Sequence, residues 1–131
     1  MIGLDTNVLV RYIMQDDVAQ SKAAADWIEA LRADAPGFIP LVVVIELVWV
    51  LSTCYGLRRE QLVTALETLL RTAELVVENA EVVWRAVRNY RAGGGDFADC
   101  LLQCSAAQAG CERTVTFDRG AARHCGMVLL G

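Results

Sequence analysis

The chain begins MIGLDTNVLVRYIM, residues 1–14, and this stretch sets the expected fold. Its first four residues are mostly apolar, as in a short buried strand, and the apolar run ends at Asp5. From Val8 onward apolar residues recur at helical spacing, so the stretch predicts a strand, a turn and a helix. Asp5 would then lie at the carboxyl end of a strand, where open α/β sheets bind their ligands.

The same alternation continues to the end of the chain. Further helices are predicted over residues 17–32, 41–55, 58–71, from Asn79 onward, and over residues 96–109 and 121–124. Short strands are predicted at residues 38–39, 74–77, 114–117 and 127–130. Valine in the run 41–55 favours a strand, but the run is too long for an ordinary one. The pattern predicts the α/β class, as a three-layer α/β/α sandwich around a mostly parallel sheet.

Length and composition predict one domain over residues 1–131, because neither a repeat nor a linker divides the chain. The apolar fraction of 55% is high and leaves apolar surface for an interface. The most apolar stretch, residues 38–51, is too short to cross a bilayer, and no basic leader precedes an apolar run at the amino terminus. We therefore expect a cytoplasmic protein without a membrane partner.

Charge and metal-ligand residues narrow the function. The chain has 12 basic and 16 acidic residues, a net charge of −4, whereas nucleic-acid-binding surfaces are normally basic. His124 is the only histidine, which excludes a three-histidine zinc site within one chain. The five cysteines form no CxxC pair and are expected to be reduced. Cys100 and Cys104 share a helix face, where a soft-metal pair is conceivable but small core residues are the better interpretation.

Five acids stand out because their surroundings are apolar: Asp5, Glu46, Asp96, Asp99 and Asp118. The first and last of them end predicted strands, while Asp96 and Asp99 lie three apart on one helix. Burying an unpaired carboxylate costs several kcal/mol, so each of these acids would need a partner. One divalent cation would satisfy several of them, and oxygen ligands select a hard ion such as Mg²⁺ or Mn²⁺.

Each acid also has an ordinary structural explanation. Asp5 and Asp96 can be helix N-caps, and Glu46 can pair with an arginine of another helix. Asp118, followed by Arg119 and a glycine, can form a plain turn. The joint occurrence of these acids in apolar surroundings is what favours a functional site.

Four motifs together resemble the PIN-domain ribonucleases, and more narrowly the VapC-type toxins of bacterial toxin–antitoxin pairs. These motifs are IGLDTNVLVRY at residues 2–12, the lone Glu46 in an apolar helix, DFADCLL at residues 96–102 and TVTFDR at residues 114–119. The resemblance covers essentially the whole chain. It implies an endoribonuclease that hydrolyses phosphodiester bonds with Mg²⁺ or Mn²⁺ and inhibits translation and growth when free of its antitoxin.

The resemblance also implies residue roles. The metal-binding and catalytic acids would be Asp5, Glu46, Asp99 and Asp118, with Asp96 at the edge of the site. Supporting residues would be Thr6, Asn7 and Thr116. The chain departs from the common pattern at Cys100, where alanine is usual, and at residues 120–121, where another acid is frequent.

The expected partners are RNA, a VapB-like antitoxin whose tail crosses the active-site groove, and a second copy of the chain in a homodimer. Arginines that could contact RNA phosphates are Arg85, Arg88, Arg91 and Arg119, although a solvated helix face is the better interpretation of their spacing. Removing the four catalytic acids from the 16 leaves 12 acidic residues against 12 basic ones, so the net acidity matches the candidate site. One or two divalent cations bound there would offset this negative charge at the place where the phosphate must bind.

Two other functions stay open at the level of sequence. A non-catalytic module could use its acidic pocket to dock an arginine-bearing partner. A phosphatase of the haloacid dehalogenase type also begins with a strand that ends in an aspartate. That chemistry needs a second aspartate two residues later, where Asn7 stands, and a catalytic lysine, whereas Lys22 is the only lysine.

Overall fold

The computed structural model describes residues 1–131, with five short strands and seven helices. The strands are β1 (Ile2–Gly3), β2 (Gly37–Ile39), β3 (Leu75–Val77), β4 (Val115–Thr116) and β5 (Val128–Leu129). The helices are α1 (Thr6–Met14), α2 (Val18–Glu29), α3 (Leu41–Thr53), α4 (Arg59–Arg71), α5 (Ala80–Gly93), α6 (Phe97–Gln108) and α7 (Arg119–Cys125). The chain forms two compact units, Met1–Glu78 and Asn79–Gly131. Whether they act as one domain stays a prediction.

The first unit is built on a parallel three-stranded sheet in the order β1-β2-β3. Gly37 in β2 is closely packed: a Cβ there would lie 2.6 Å from Leu4 Cδ1, so a larger residue would have to displace that side chain. Helix α1 packs on α2 and α3, and α4 packs on β3. Strands β1 and β2 are parallel, so their carboxyl ends lie at the same edge of the sheet. Asp5 follows the end of β1 and therefore lies at this edge, where helix α1 begins.

Helix α3 forms despite four consecutive β-branched residues at positions 42–45. Pro40 precedes its first turn with φ −60°, and the Glu78 carboxylate accepts a hydrogen bond from the Leu41 N–H at 2.7 Å. That negative charge also complements the positive end of the helix dipole. Its buried face includes Val44, Leu47 and Leu51, so packing of this face outweighs the strand preference of valine.

The second unit holds the remaining helices and a separate parallel pair, β4 with β5. Helix α7 lies between these two strands in the chain and supplies the crossover that a parallel pair needs. Helix α5 packs on α6, and the rings of Tyr90 and Phe97 meet edge to face with centroids 5.6 Å apart.

The α/β class predicted from the sequence is confirmed, and every strand pairing is parallel. The valine-rich run is a helix, as its length predicted. All five cysteines are thiols, and Cys100 and Cys104 are each 1% exposed, as expected of small core residues. None of the helices combines the length and apolar character needed to cross a bilayer.

Candidate active site

A cleft of about 350 Å³ in the first unit contains two of the predicted acids. Asp5 lies there as the N-cap of α1, with its Oδ1 accepting the Thr6 N–H at 2.6 Å. Glu46 reaches the same cleft from the middle of α3. The N-cap interpretation of Asp5 is therefore correct, but the capping bond uses one carboxylate oxygen and leaves the other available to a ligand.

The two residues that follow Asp5 differ in their position relative to the cleft. Asn7 lines it, whereas the Thr6 side chain turns inward and is 4% exposed. The Thr6 hydroxyl is buried without a hydrogen-bond partner. Leaving a buried hydroxyl unsatisfied costs about 1–3 kcal/mol, so this position is unfavourable unless a polar group approaches it.

A hydrogen-bonded network that the sequence did not reveal forms another part of the same cleft. Arg11 donates to the Asp16 carboxylate at 3.1 Å and to the Tyr55 hydroxyl at 3.2 Å, and that hydroxyl donates to Asp16 at 2.5 Å. The Tyr55 hydrogen bond, more than the nearby guanidinium, lowers the pKa of Asp16. Arg11 and Tyr55 both line the cleft, which therefore holds a fixed positive group as well as two carboxylates.

Asp96 and Asp118 begin helices in the second unit. Asp96 is the N-cap of α6, but its side chain makes no capping hydrogen bond. Asp118 is the N-cap of α7, and its Oδ1 accepts the Ala121 N–H at 3.1 Å. The Asp118 N–H in turn donates to Thr116 Oγ1 at 3.0 Å, which holds this aspartate at the end of β4. Asp118 therefore starts a helix and is not part of a plain turn.

Asp99 lies in the first turn of α6, between these two acids in the chain. Its pKa is raised, first by burial and then by repulsion from the negative charges of Asp96 and Asp118. The three carboxylates are thus close enough to interact electrostatically within this unit. Repulsion of this kind is relieved by a bound cation.

The acids are more exposed than the sequence suggested. Asp5, Glu46, Asp96 and Asp118 are exposed, and only Asp99 is half-buried. The prediction that each needs a partner because it is buried is therefore wrong for four of them. These carboxylates face solvent instead, and the salt bridges of the molecule, such as Arg11–Asp16 and Lys22–Asp26, use other acids.

The donor chemistry fits a hard cation that keeps much of its water. No group of three or more His, Cys, Asp or Glu side chains is arranged to hold a metal ion by itself. Mg²⁺ does not need such a cage, because it commonly retains several waters and binds through one or two carboxylates. Three features of the candidate acids suit that mode of binding. Their ligand atoms are all oxygen, most of them are exposed to water, and Asp99 is repelled by its charged neighbours.

Comparison with known proteins identifies the family of this chain. The family model of the PIN domain matches residues 2–126, a range that includes all the predicted acids. The chain belongs to the PIN domain family. It is also similar to the VapC ribonuclease of Aquifex aeolicus (strain VF5), with 29% identity over 116 residues that cover 88% of this chain and 86% of that protein. Family membership removes the haloacid dehalogenase alternative.

The predicted RNA-contacting arginines of this PIN domain lie on two helices. Arg85 and Arg88 line an open depression of about 560 Å³ on α5, together with Glu81 and Trp84. Arg91 is exposed one turn further along α5, and Arg119 is the first residue of α7, directly after Asp118. An indole and two arginines in one depression are the composition of a surface on which a base can stack while phosphates are neutralised.

Proposed function

We propose that this PIN domain is a divalent-metal-dependent endoribonuclease and the VapC-type toxin of a toxin–antitoxin pair. Free of its antitoxin, it would cut RNA and so inhibit translation and growth. The observation that carries the proposal is the match of the PIN domain family model to residues 2–126, a range that contains the four exposed candidate carboxylates and the half-buried one of Asp99.

The metal-binding and catalytic residues would be Asp5, Glu46, Asp99 and Asp118, with Asp96 at the edge of the site. A bound Mg²⁺ or Mn²⁺ ion would supply charge neutralisation for the phosphodiester and a water activated at neutral pH. The chain's own contribution is to hold these side chains in place. Thr6 fixes Asp5 through its N–H, and Thr116 fixes the backbone of Asp118 through its hydroxyl.

Substrate binding is assigned to the arginines. Arg85, Arg88, Arg91 and Arg119 would neutralise RNA phosphates. Arg11 would do the same inside the cleft, where Asp16 and Tyr55 restrict its movement. No side-chain base is required, and the only histidine has no assigned role.

The test is cleavage of RNA by the purified full chain with Mg²⁺ or Mn²⁺. We expect EDTA to abolish cleavage, and Asp5→Asn or Asp99→Asn to lower kcat/KM by at least about 100-fold. Asp34→Asn, which changes an exposed aspartate in a surface salt bridge, is the matched control and should cleave as fast as the unaltered chain. Circular dichroism would verify that each variant is folded.

Other outcomes have defined meanings. Equal cleavage by the unaltered chain and the asparagine variants would show that a contaminant is responsible and that the assignment is wrong. Folded protein that never cleaves RNA with any divalent ion would favour the non-catalytic acidic module. In that case the carboxylates would dock an arginine-bearing partner, and their asparagine variants would lose that partner.

We also propose a VapB-like antitoxin and a homodimer as partners, acting in the cytoplasm where RNA is translated. Exposed carboxylates offer a basic side chain of the antitoxin a binding place. Val42, Ile45 and Trp49 form an exposed apolar row along α3 that a second copy could cover. Light scattering of the purified chain, alone and with the product of the neighbouring small gene, tests both partners. A monomer whose elution the second protein does not change would contradict them.

A further inference from the structure

Two thiols lie against each other beside the acids of the second unit. The Sγ atoms of Cys100 and Cys125 are 3.5 Å apart, although the residues are 25 positions apart in the chain. Cys100 directly follows Asp99 on α6, and Cys125 is the last residue of α7, the helix that Asp118 begins. The pair therefore lies between the two helices whose amino-terminal ends carry three of the candidate acids.

We propose that Cys100 and Cys125 are an oxidisable dithiol whose reversible disulfide ties α6 to α7 and lowers the activity of the candidate site. The formation of the disulfide rests on the thiol geometry alone. Its effect on activity rests in addition on the proposed nuclease function.

The surroundings of the pair leave room for this bond. A disulfide is about 2.05 Å long, so the two sulfur atoms have to approach by only about 1.5 Å. Gly95 keeps the space beside Cys125 open, because a Cβ at that position would lie 2.5 Å from the Cys125 sulfur. Any larger residue there would push this sulfur away from its present place.

The exposure of the two thiols determines which of them an oxidant reaches first. Cys100 is buried, with 1% of its surface exposed, whereas Cys125 is partly exposed. An oxidant in solution therefore meets Cys125 first, and the buried Cys100 sulfur is the group that resolves the product. The other two thiols that face solvent, Cys54 and Cys111, have no thiol partner of this kind.

The step is a two-electron oxidation by a peroxide. The Cys125 sulfur attacks one oxygen of hydrogen peroxide, the O–O bond breaks, and a sulfenic acid and one water form. The Cys100 sulfur then attacks the sulfenic sulfur, the S–S bond forms, and a second water leaves. Two thiols thus lose two electrons and two protons, and the peroxide is reduced to two waters. A dithiol reductant reverses the reaction by thiol–disulfide exchange.

Closure of the disulfide would move the acids of this unit. Cys100 is bonded to Asp99 through the backbone, and the Cys125 sulfur lies 4.0 Å from the carbonyl oxygen of Asp96. A displacement of about 1 Å in a catalytic group can cost about 100-fold in rate. Cytosolic disulfides are typically transient and redox-sensing, and a switch of this kind is consistent with that pattern.

The chemical test treats the reduced full chain with hydrogen peroxide, blocks remaining thiols with N-ethylmaleimide and measures the intact mass. We expect two fewer blocked thiols than in the untreated chain, and a crosslinked peptide pair that contains Cys100 and Cys125. Cys111→Ser should form the same crosslink, and Cys125→Ser should not. Full blocking of all thiols, or a crosslink between other cysteines, would overturn the proposal.

The activity test compares RNA cleavage before and after oxidation. The oxidised chain should cleave at least tenfold more slowly, dithiothreitol should restore the rate, and Cys125→Ser should be insensitive to peroxide. A crosslinked chain that cleaves at the full rate would overturn the regulatory part. If the reduced chain is inactive, the proposed function fails, while the crosslink is still decided by mass alone.

Discussion

Asp99 is the candidate acid whose titration the fold changes most clearly. Burial and the charges of Asp96 and Asp118 raise its pKa above that of the unfolded chain. A carboxyl whose folded pKa is raised opposes folding when it is ionised, and this penalty is fully present above the folded pKa. It is lost as the pH falls from the folded pKa to the unfolded one, because the folded state then binds the proton more tightly.

We therefore expect Asp99→Asn to be more stable than the unaltered chain at pH 7 in EDTA. The gain should be below about 1 kcal/mol, since solvent screens this partly exposed group. The difference should disappear as the pH falls through the raised pKa of Asp99. Thermal unfolding of both proteins across pH, with Asp34→Asn as the control, measures this. Greater stability of the unaltered chain in EDTA would contradict the repulsion.

Tyr55 positions Arg11 through a contact between residues 44 positions apart. Removing its hydroxyl in Tyr55→Phe deletes the largest cause of the low pKa of Asp16, so that pKa should rise. Carboxyl NMR shifts across pH would measure the change. For cleavage, we expect KM to rise roughly three- to tenfold with kcat nearly unchanged, because a less restricted Arg11 weakens substrate binding alone. An altered kcat with an unchanged KM would contradict this positioning role.

Among the elements, helix α7 begins after a residue, Asp118, that has both a capping role and a proposed catalytic role. Two substitutions of this residue can separate the two roles. Asp118 caps this helix through Ala121, and asparagine is an equally good N-cap. Asp118→Asn should therefore keep its stability and lose cleavage. Asp118→Ala should lose cleavage and also about 1 kcal/mol of stability. Chemical denaturation and RNA cleavage of the two variants test this, and a full-rate Asp118→Asn enzyme would remove Asp118 from the catalytic set.

Helix α3 shows how packing selects a helix where the local sequence is also compatible with a strand. Leu47 is fully buried, whereas Trp49 is 60% exposed only two residues later. We expect Leu47→Ala to cost about 2–5 kcal/mol in unfolding free energy, because it leaves a cavity. Trp49→Ala should change the stability of the monomer by about 0.5 kcal/mol or less, since its side chain faces solvent. Urea unfolding measures both, and equal losses would contradict this assignment of faces.

For the whole molecule, the two compact units raise the question of whether the chain unfolds in a single cooperative transition. The sequence predicts one domain, and small single domains unfold in one transition. We expect the calorimetric and van't Hoff enthalpies to agree. Hydrogen exchange should show the same protection limit in the buried helices of both units. Two resolved transitions would show that the units are separate domains.

A bound metal ion should also affect the stability of the whole folded chain. A cation that binds only the folded chain stabilises it, by about 2.7 kcal/mol at 100 times its dissociation constant. We expect Mg²⁺ to raise the unfolding temperature of the unaltered chain. The same addition should have little effect on Asp99→Asn, which reverses the order of stability expected in EDTA. An equal shift in both proteins would place the cation elsewhere.

Local sequence patterns were enough to predict the features that depend on near neighbours in the chain. Helical periodicity, apolar runs and turn residues predicted the order and type of the elements, and the motifs around Asp5, Glu46, Asp99 and Asp118 indicated the family. These signals are local because helix and strand periods are set by residues within a few positions of each other. The cap positions of Asp5 and Asp96 were among the alternatives that could be predicted in this way.

The exposure of the acids and the contacts between distant residues depend on tertiary packing and could not be predicted from local patterns. The bond between Arg11 and Tyr55 and the meeting of the Cys100 and Cys125 thiols depend on how helices pack. The buried hydroxyl of Thr6 and the repulsion at Asp99 have the same origin. An apolar neighbour in the sequence predicts that an element is buried on one face. Which side chains reach the same place is set by the three-dimensional path of the chain.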